Sequence, residues 1–258
     1  MTGQVLLAIE GSTARVTLSH PGKLNAMSRS MWRELREVFQ GIQQNSGLRC
    51  VLLRGEGGHF CAGGDISEYA QFRFDPSTLR DFHEDEVWAG LQAVLDCDVP
   101  IVAQLDGNCM GAGMEIACCC DLRLAGQSAR FGAPIARLGF PMAPREAALV
   151  ARVAGELSAR EMLLAAAVLD APAMLQRGFL NHVFTDDQLE GEVQALAARM
   201  LRLAPTAARL NKQTFRALAL DGRAQAATDL IATAYTYADA AEHREGVMAF
   251  VEKRSPKF

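Results

Sequence analysis

At 258 residues, half of them hydrophobic, the chain can bury one large core, with or without a small helical appendage. Its 30 Asp and Glu against 26 Lys and Arg give a mildly acidic balance, so no nucleic-acid partner is expected. It has no apolar run long enough for a membrane span and no signal-peptide pattern. We expect a soluble, cytoplasmic protein whose seven cysteines are reduced and mostly buried.

Apolar periodicity predicts alternating strands and helices. Strands are predicted over residues 5–9, 14–19, 50–53 and 101–105, of which the first two are expected to form a hairpin. An amphipathic helix is predicted over 30–44, with Ser28 or Ser30 near its N-cap. Residues 158–161 match a capping box ahead of a helix over 162–168. Strands that alternate with helices indicate an α/β architecture.

A glycine-rich stretch over residues 106–121 joins the fourth predicted strand to a helical pattern. Gly107, Gly111 and Gly113 permit backbone conformations closed to other residues, and the following first helical turn has free N–H groups. Glu115 lies in that turn among apolar neighbours, where a carboxylate can perform acid or base chemistry. Acidic residues also favour first helical turns for electrostatic reasons, so this stretch alone leaves both interpretations open.

Other catalytic classes fit the sequence poorly. The glycine order in residues 106–121 is not the dinucleotide fingerprint. No Gly-x-Ser-x-Gly elbow occurs, and Cys61 near His59 is more typical of a core-facing thiol than of a nucleophile. The histidines are scattered without ligand spacing, so we expect no metal.

A second cluster of small residues, Ala62-Gly63-Gly64, follows the strand predicted over 50–53. Two such loops can each present one backbone N–H toward a common point, which would form an oxyanion hole. The two motifs, their separation and the carboxylate after the second one resemble the enoyl-CoA hydratase/isomerase family, the crotonase superfamily.

The resemblance extends over nearly the whole chain. Residues 20–27 resemble the family's early Pro-x-x-x-Asn-Ala loop, and residues 129–134 resemble its Phe-Gly-x-Pro segment. Residues 178–183 are similar to its Gly-Leu-Val stretch, and residues 244–254 to its closing Glu-Gly-x-x-Ala-Phe-x-Glu-Lys-Arg. So many motifs in the same order are highly specific.

The resemblance implies the family's α/β fold, a crotonase-like spiral of strand-strand-helix turns, over residues 1–187. Residues 188–258 would form a C-terminal helical subdomain that builds homotrimers or dimers of trimers. Apolar stripes in the segments from Gln188, Thr206 and Ala224 agree with helices in this part.

The resemblance also implies site residues. The N–H groups of Gly64 and Ala112 would hold the thioester carbonyl, and Glu115 matches the hydratase glutamate that activates water. The residues expected around the CoA thioester are Lys23, Leu24, Ala26, Ala62, Gly63, Asp65, Ile66, Gly111, Phe250 and Lys253. A packing Phe250 and an exposed Lys253 are the plainer alternatives. No cofactor is expected, because coenzyme A is part of the substrate.

One family residue is missing. Ile135 stands where hydratases have their second glutamate, and isoleucine cannot move a proton. Each well-placed acid or base contributes roughly 100- to 10,000-fold. Glu146 could supply a carboxylate from another direction, although it and Arg145 are expected to be helix-start charges.

The insert over residues 67–86 is either a lid over the acyl group or a surface helix, and the surface helix is the expectation. Its residues that could reach the substrate are His83, Glu84 and Glu86. The side chains that indicate an apolar acyl pocket are Phe72, Phe74, Phe140 and Met142.

The leading functional hypothesis is a hydratase-like hydro-lyase that acts on an acyl-CoA through Glu115. A double-bond isomerase is the second hypothesis. A CoA-thioester-binding protein with little turnover is the third, and Ile135 is the feature in its favour.

Overall fold

The computed structural model describes residues 2–219 and 241–258, with the backbone alone at 243, 244, 250 and 251. The strands are β1 (Gln4–Glu10), β2 (Thr13–Ser19), β3 (Cys50–Gly55), β4 (Ile101–Leu105), β5 (Asn108–Met110), β6 (Leu122–Gly126), β7 (Arg130–Gly132), β8 (Val168–Asp170) and β9 (His182–Phe184). The α-helices are α1 (Arg29–Gln44), α2 (Pro76–Asp81), α3 (Ala89–Asp96), α4 (Ala112–Cys119), α5 (Pro144–Ala154), α6 (Glu156–Leu164), α7 (Ala171–Gln176), α8 (Asp186–Met200), α9 (Pro205–Leu218) and α10 (Ala241–Val251). Shorter turns are the 3₁₀-helices Ile66–Gln71 and Ile135–Leu138 and the π-helix Phe82–Trp88.

The strands form two sheets. The larger has the order β1-β2-β3-β4-β6-β9, in which the β1–β2 hairpin is antiparallel and the remaining pairs are parallel. The smaller has the order β5-β7-β8. The α/β prediction and the predicted hairpin are therefore confirmed. Within residues 2–219 and 241–258, no helix has the length and hydropathy needed to cross a membrane.

The central parallel strands β3 and β4 of the larger sheet are buried on both faces, whereas the edge strand β1 is mostly exposed. Val51 and Leu53 of β3 face the main core, which includes the apolar face of α1. Alternate residues Cys50 and Leu52 face a second cluster that contains Leu189 of α8. Since side chains alternate along a strand, the continuous apolar run of β3 supplies both layers.

Helix α1 begins where the sequence predicts. Ser28 is its N-cap, and the Ser28 side chain accepts a hydrogen bond from the Met31 N–H at 3.3 Å. Met31, Trp32 and Leu35 lie on its buried face. The predicted helix over 30–44 is confirmed with a start one residue earlier.

Other segments differ from the sequence analysis or are not tested by the structure. The capping box is wrong: α6 begins after Gly155, which has φ 86°, and Ser158 is buried inside the helix. β5 was missed because three residues carry too little periodicity to identify a strand. The segment from Ala224 lies outside the described residues, and the division at residue 187 stays a prediction, although α8 packs on the larger sheet.

Candidate active site

The two glycine loops lie edge to edge. The Cys61 N–H donates to the Asn108 carbonyl at 2.8 Å, and the Met110 N–H donates back to the Cys61 carbonyl at 2.9 Å. Gly113 is needed at this junction, since an added Cβ would lie 2.6 Å from the Cys61 carbonyl oxygen. Strand β5 therefore fixes the start of α4 against the loop that follows β3.

Each loop offers a free backbone donor. The residues on either side of Gly64 make the hydrogen bonds to Met27. The Met27 N–H donates to the Gly63 carbonyl, and the Met27 carbonyl accepts from the Asp65 N–H, both at 2.8 Å. Ala112 is the first residue of α4, where N–H groups have no intrahelical acceptor. In the described part of the chain, neither Gly64 nor Ala112 uses its N–H in a hydrogen bond, and both residues line one cavity.

That cavity has a volume of about 300 Å³ and mainly apolar walls. Phe140 and Met142 contribute to it, as the sequence suggests. Phe72 instead packs on Phe82, with ring centroids 4.5 Å apart, and Phe74 is 86% exposed. Two of the four side chains expected in the acyl pocket therefore line this cavity, and the role of the cavity as an acyl pocket stays a prediction.

Glu115 is the buried acid of the cavity. It lies in the first turn of α4, and its N–H donates to the Gly111 carbonyl at 3.0 Å. Burial raises the pKa of Glu115 to about 8, and the charge of Glu146 adds to the effect. No hydrogen bond to a described residue offsets this burial, and the raised pKa favours the protonated form of Glu115 near neutral pH.

Ile135 also lines the cavity, at the start of the 3₁₀-helix Ile135–Leu138. An apolar side chain thus lies at the position where the resemblance places a second glutamate.

Glu146 lies in the first turn of α5 but is not a solvated helix-start charge. It is 2% exposed, and one of its carboxylate oxygens accepts a hydrogen bond from His83 Nδ1 at 3.1 Å. Arg145 does remain at the surface, where it pairs with Glu84 at 3.0 Å. The helix-start interpretation is correct for Arg145 and wrong for the side chain of Glu146.

Of the three candidates in the insert, His83 alone is among the cavity-lining residues. Glu84 pairs with Arg145, and Glu86 accepts two hydrogen bonds from the Arg29 guanidinium at 2.9 and 2.6 Å. The insert forms 3₁₀-, α- and π-helical turns, so the expectation of one surface helix is too simple.

The expected CoA-contact residues divide into groups. Those that line the cavity are Ala62, Gly63, Ile66 and Gly111. Lys23 and Asp65 form an ion pair at 2.6 Å beside them. Leu24 is 46% exposed and its carbonyl accepts from the Ala62 N–H at 3.0 Å, while Ala26 is buried in the same loop. These loop residues are therefore held against the second glycine cluster.

The two C-terminal candidates, Lys253 and Phe250, have different outcomes. Lys253 is exposed after α10 and is not one of the residues that line the cavity. The side chain of Phe250 lies outside the described part of the structure. Their contact with CoA stays a prediction.

Sequence reasoning missed several lining residues. Tyr69 and Arg73 lie four residues apart, and the Arg73 guanidinium is 4.6 Å from the Tyr69 ring and 3.8 Å from the Phe140 ring. Burial raises the pKa of Tyr69 to about 12 and lowers that of Arg73. The helical spacing after a site loop is the signal that could have found them.

Cys61 is fully buried, and burial raises the pKa of its thiol to about 12, which disfavours the nucleophilic thiolate at neutral pH. Among the described residues, no group of three or more His, Cys, Asp or Glu side chains is arranged to hold a metal ion.

Comparison with known proteins identifies the family of the chain. Residues 8–258 match the family model described as enoyl-CoA hydratase/isomerase. The chain belongs to this family and has the crotonase fold.

Curated relatives and solved structures cover nearly the whole chain. It is 30% identical to 2,3-dehydroadipyl-CoA hydratase of Escherichia coli, over 94% of this chain and 93% of the relative. The short-chain-enoyl-CoA hydratase of Clostridium acetobutylicum is 29% identical, with 97% and 95% covered. A crystal structure of an enoyl-CoA hydratase/carnithine racemase from Magnetospirillum magneticum superposes with a TM-score of 0.92 at 34% identity, covering 100% of this chain and 96% of that one.

Proposed function

We propose that the chain is a hydro-lyase that adds water across the double bond of an enoyl-CoA thioester. The observation that carries the proposal is that Gly64 and Ala112, whose N–H groups make no hydrogen bond in the described structure, line the same cavity as the buried acid Glu115. The hydratase names of two curated relatives support it.

The two N–H groups would hold the thioester oxygen. When water adds to the β-carbon, negative charge develops on that oxygen, and two fixed donors in an apolar cavity stabilise it by roughly 3 to 4 kcal/mol each. The resemblance gives Glu115 the role of activating water. Its pKa of about 8 favours a different role, because a neutral carboxylic acid is ready to protonate the α-carbon.

A double-bond isomerase is the second candidate, and Ile135 is the observation in its favour. An isomerase moves a proton between two carbons, and one carboxyl group can carry it. The homotrimer or dimer of trimers implied by the resemblance belongs to the same proposal, and light scattering on the purified protein tests it.

The experiment offers crotonyl-CoA and a 3-enoyl-CoA to the wild type, to Glu115→Gln and to the surface control Glu161→Gln. We expect hydration of crotonyl-CoA, with a kcat reduced roughly 100- to 10,000-fold in Glu115→Gln and unchanged in the control. Calorimetry with butyryl-CoA should show that Glu115→Gln still binds CoA esters. Conversion of the 3-enoyl-CoA alone would favour the isomerase, and binding without turnover of either ester would favour the binding protein.

A further inference from the structure

The cavity contains an imidazole held by a buried carboxylate. The side chain of Glu146 is 3% exposed, and in the described structure His83 is its hydrogen-bond partner, at 3.1 Å. The ring of His83, with 21% of its side chain exposed, lines the cavity that also contains Glu115. A carboxylate this deeply buried needs a donor, and His83 provides it.

The fold fixes the orientation of this imidazole. His83 lies on the π-helix Phe82–Trp88, a rare geometry that is frequent at functional sites. Its ring packs against that of Phe82 in a T-shaped arrangement, with centroids 5.2 Å apart, and Phe82 is itself buried against Phe72. The imidazole is thus held by an aromatic neighbour on one side and by Glu146 at Nδ1.

The hydrogen bond decides which ring nitrogen can do chemistry. A carboxylate can only accept, so Nδ1 carries the proton and Nε2 of the neutral ring is left as an acceptor. A buried carboxylate that orients an imidazole and stabilises its protonated form is the arrangement found in hydrolase triads.

His83 and Glu115 line the same cavity. The charge of Glu146, the partner of His83, also contributes to the raised pKa of Glu115. The imidazole and the neutral acid therefore belong to one site rather than to two separate ones.

We propose that His83 is the second proton-transfer residue of this site, oriented by Glu146, in place of the glutamate that Ile135 replaces. The inference rests on the proposed hydration. His83 is then a catalytic residue, and Glu146 is a positioning residue that acts through it.

The step balances without any further reactant. Nε2 of His83 takes a proton from water as the water oxygen bonds to the β-carbon. The electrons of the double bond move to the thioester oxygen at Gly64 and Ala112. The α-carbon then takes the proton of Glu115, and the imidazolium proton returns to the Glu115 carboxylate through water. The sum is enoyl-CoA plus water giving 3-hydroxyacyl-CoA.

Two reactions separate this role from a structural one. Hydration of crotonyl-CoA needs both His83 and Glu115. Exchange of the α-protons of butyryl-CoA in D₂O needs Glu115 and the two N–H donors but no activated water. The variants are His83→Ala, His83→Gln and Glu146→Gln. The control is Glu84→Gln, on the same π-helix but paired at the surface.

In His83→Ala we expect the kcat for hydration to fall roughly 100- to 10,000-fold with little change in KM, while α-proton exchange stays close to the wild-type rate. Added imidazole should restore part of the hydration rate. Glu146→Gln should show a smaller loss of hydration with exchange retained. A His83 variant that hydrates crotonyl-CoA at the wild-type rate would overturn the inference. A folded His83→Gln that loses hydration and exchange equally would also overturn it. Either result leaves the proposed function intact. If the wild type catalyses neither reaction, the proposed function itself fails.

Discussion

The charge of Glu146 on α5 adds to the burial that raises the pKa of Glu115 on α4. Two carboxyl groups from different helices thus share one electrostatic environment, and His83 binds one of them. Ile135 lines the cavity where the family resemblance places a second glutamate, and the buried carboxylate of Glu146 comes from α5.

The coupling predicts a pH dependence for α-proton exchange. Glu115 must be ionised to take a proton from butyryl-CoA, so the exchange rate should rise with pH through a midpoint near 8. Removing the nearby charge in Glu146→Gln should move the midpoint to lower pH, because one of the two causes of the raised pKa is gone. NMR in D₂O measures the exchange rate as a function of pH for the wild type and for Glu146→Gln. An identical midpoint in the two proteins would show that the carboxyl groups do not interact.

The same pKa makes a prediction about stability that needs no substrate. Folded Glu115 keeps its proton up to a pH of about 8, whereas the unfolded chain loses it near 4.5. The folded state therefore binds more protons between these values, and its stability falls as pH rises through this window. Glu115→Gln removes this effect, which is on the order of 5 kcal/mol when complete. Denaturant titrations at pH 5 and pH 9 should show the variant gaining stability relative to the wild type; a constant difference would contradict the raised pKa.

A glutamate can be introduced at position 135, where the family resemblance places one. In the His83→Ala background, Ile135→Glu should recover hydration of crotonyl-CoA by roughly 10-fold or more, because a carboxylate at this position of the cavity can activate water. Ile135→Gln, which has the same shape and cannot take a proton, is the matched control. Recovery by the glutamine variant, or by neither, would argue that a proton carrier is not what the site lacks.

The donor on Ala112 can be removed without changing a polar side chain. Proline is tolerated at the first position of a helix and has no N–H. Ala112→Pro should lower kcat roughly 100- to 1,000-fold, as expected for the loss of one oxyanion donor. Ala112→Gly retains the N–H and should stay near the wild-type rate. Steady-state kinetics measures kcat for both variants, and circular dichroism verifies that they fold. A proline variant with wild-type activity would show that the Ala112 N–H is not an oxyanion donor.

Local sequence patterns predicted much of the fold. The Ser28 cap, the β1–β2 hairpin and the buried strand β3 all follow from residues that are neighbours in the sequence. The two glycine clusters likewise marked the loops that meet at the cavity. In each case the deciding interaction is short in range or follows a simple period.

The remaining features depend on tertiary contacts. His83 and Glu146 are 63 residues apart, and the direction of each depends on how the π-helix and α5 pack. A charge in a first helical turn looks the same in sequence whether it meets water or a buried imidazole. For this reason the sequence predicted the position of Glu146 and not its environment.

The most direct test of the central claim is a crystal structure of the chain with bound butyryl-CoA. The account predicts the thioester oxygen within about 3 Å of the main-chain nitrogens of both Gly64 and Ala112, with the Glu115 carboxyl group beside the α-carbon. A thioester held elsewhere, or one whose oxygen meets neither nitrogen, would contradict it.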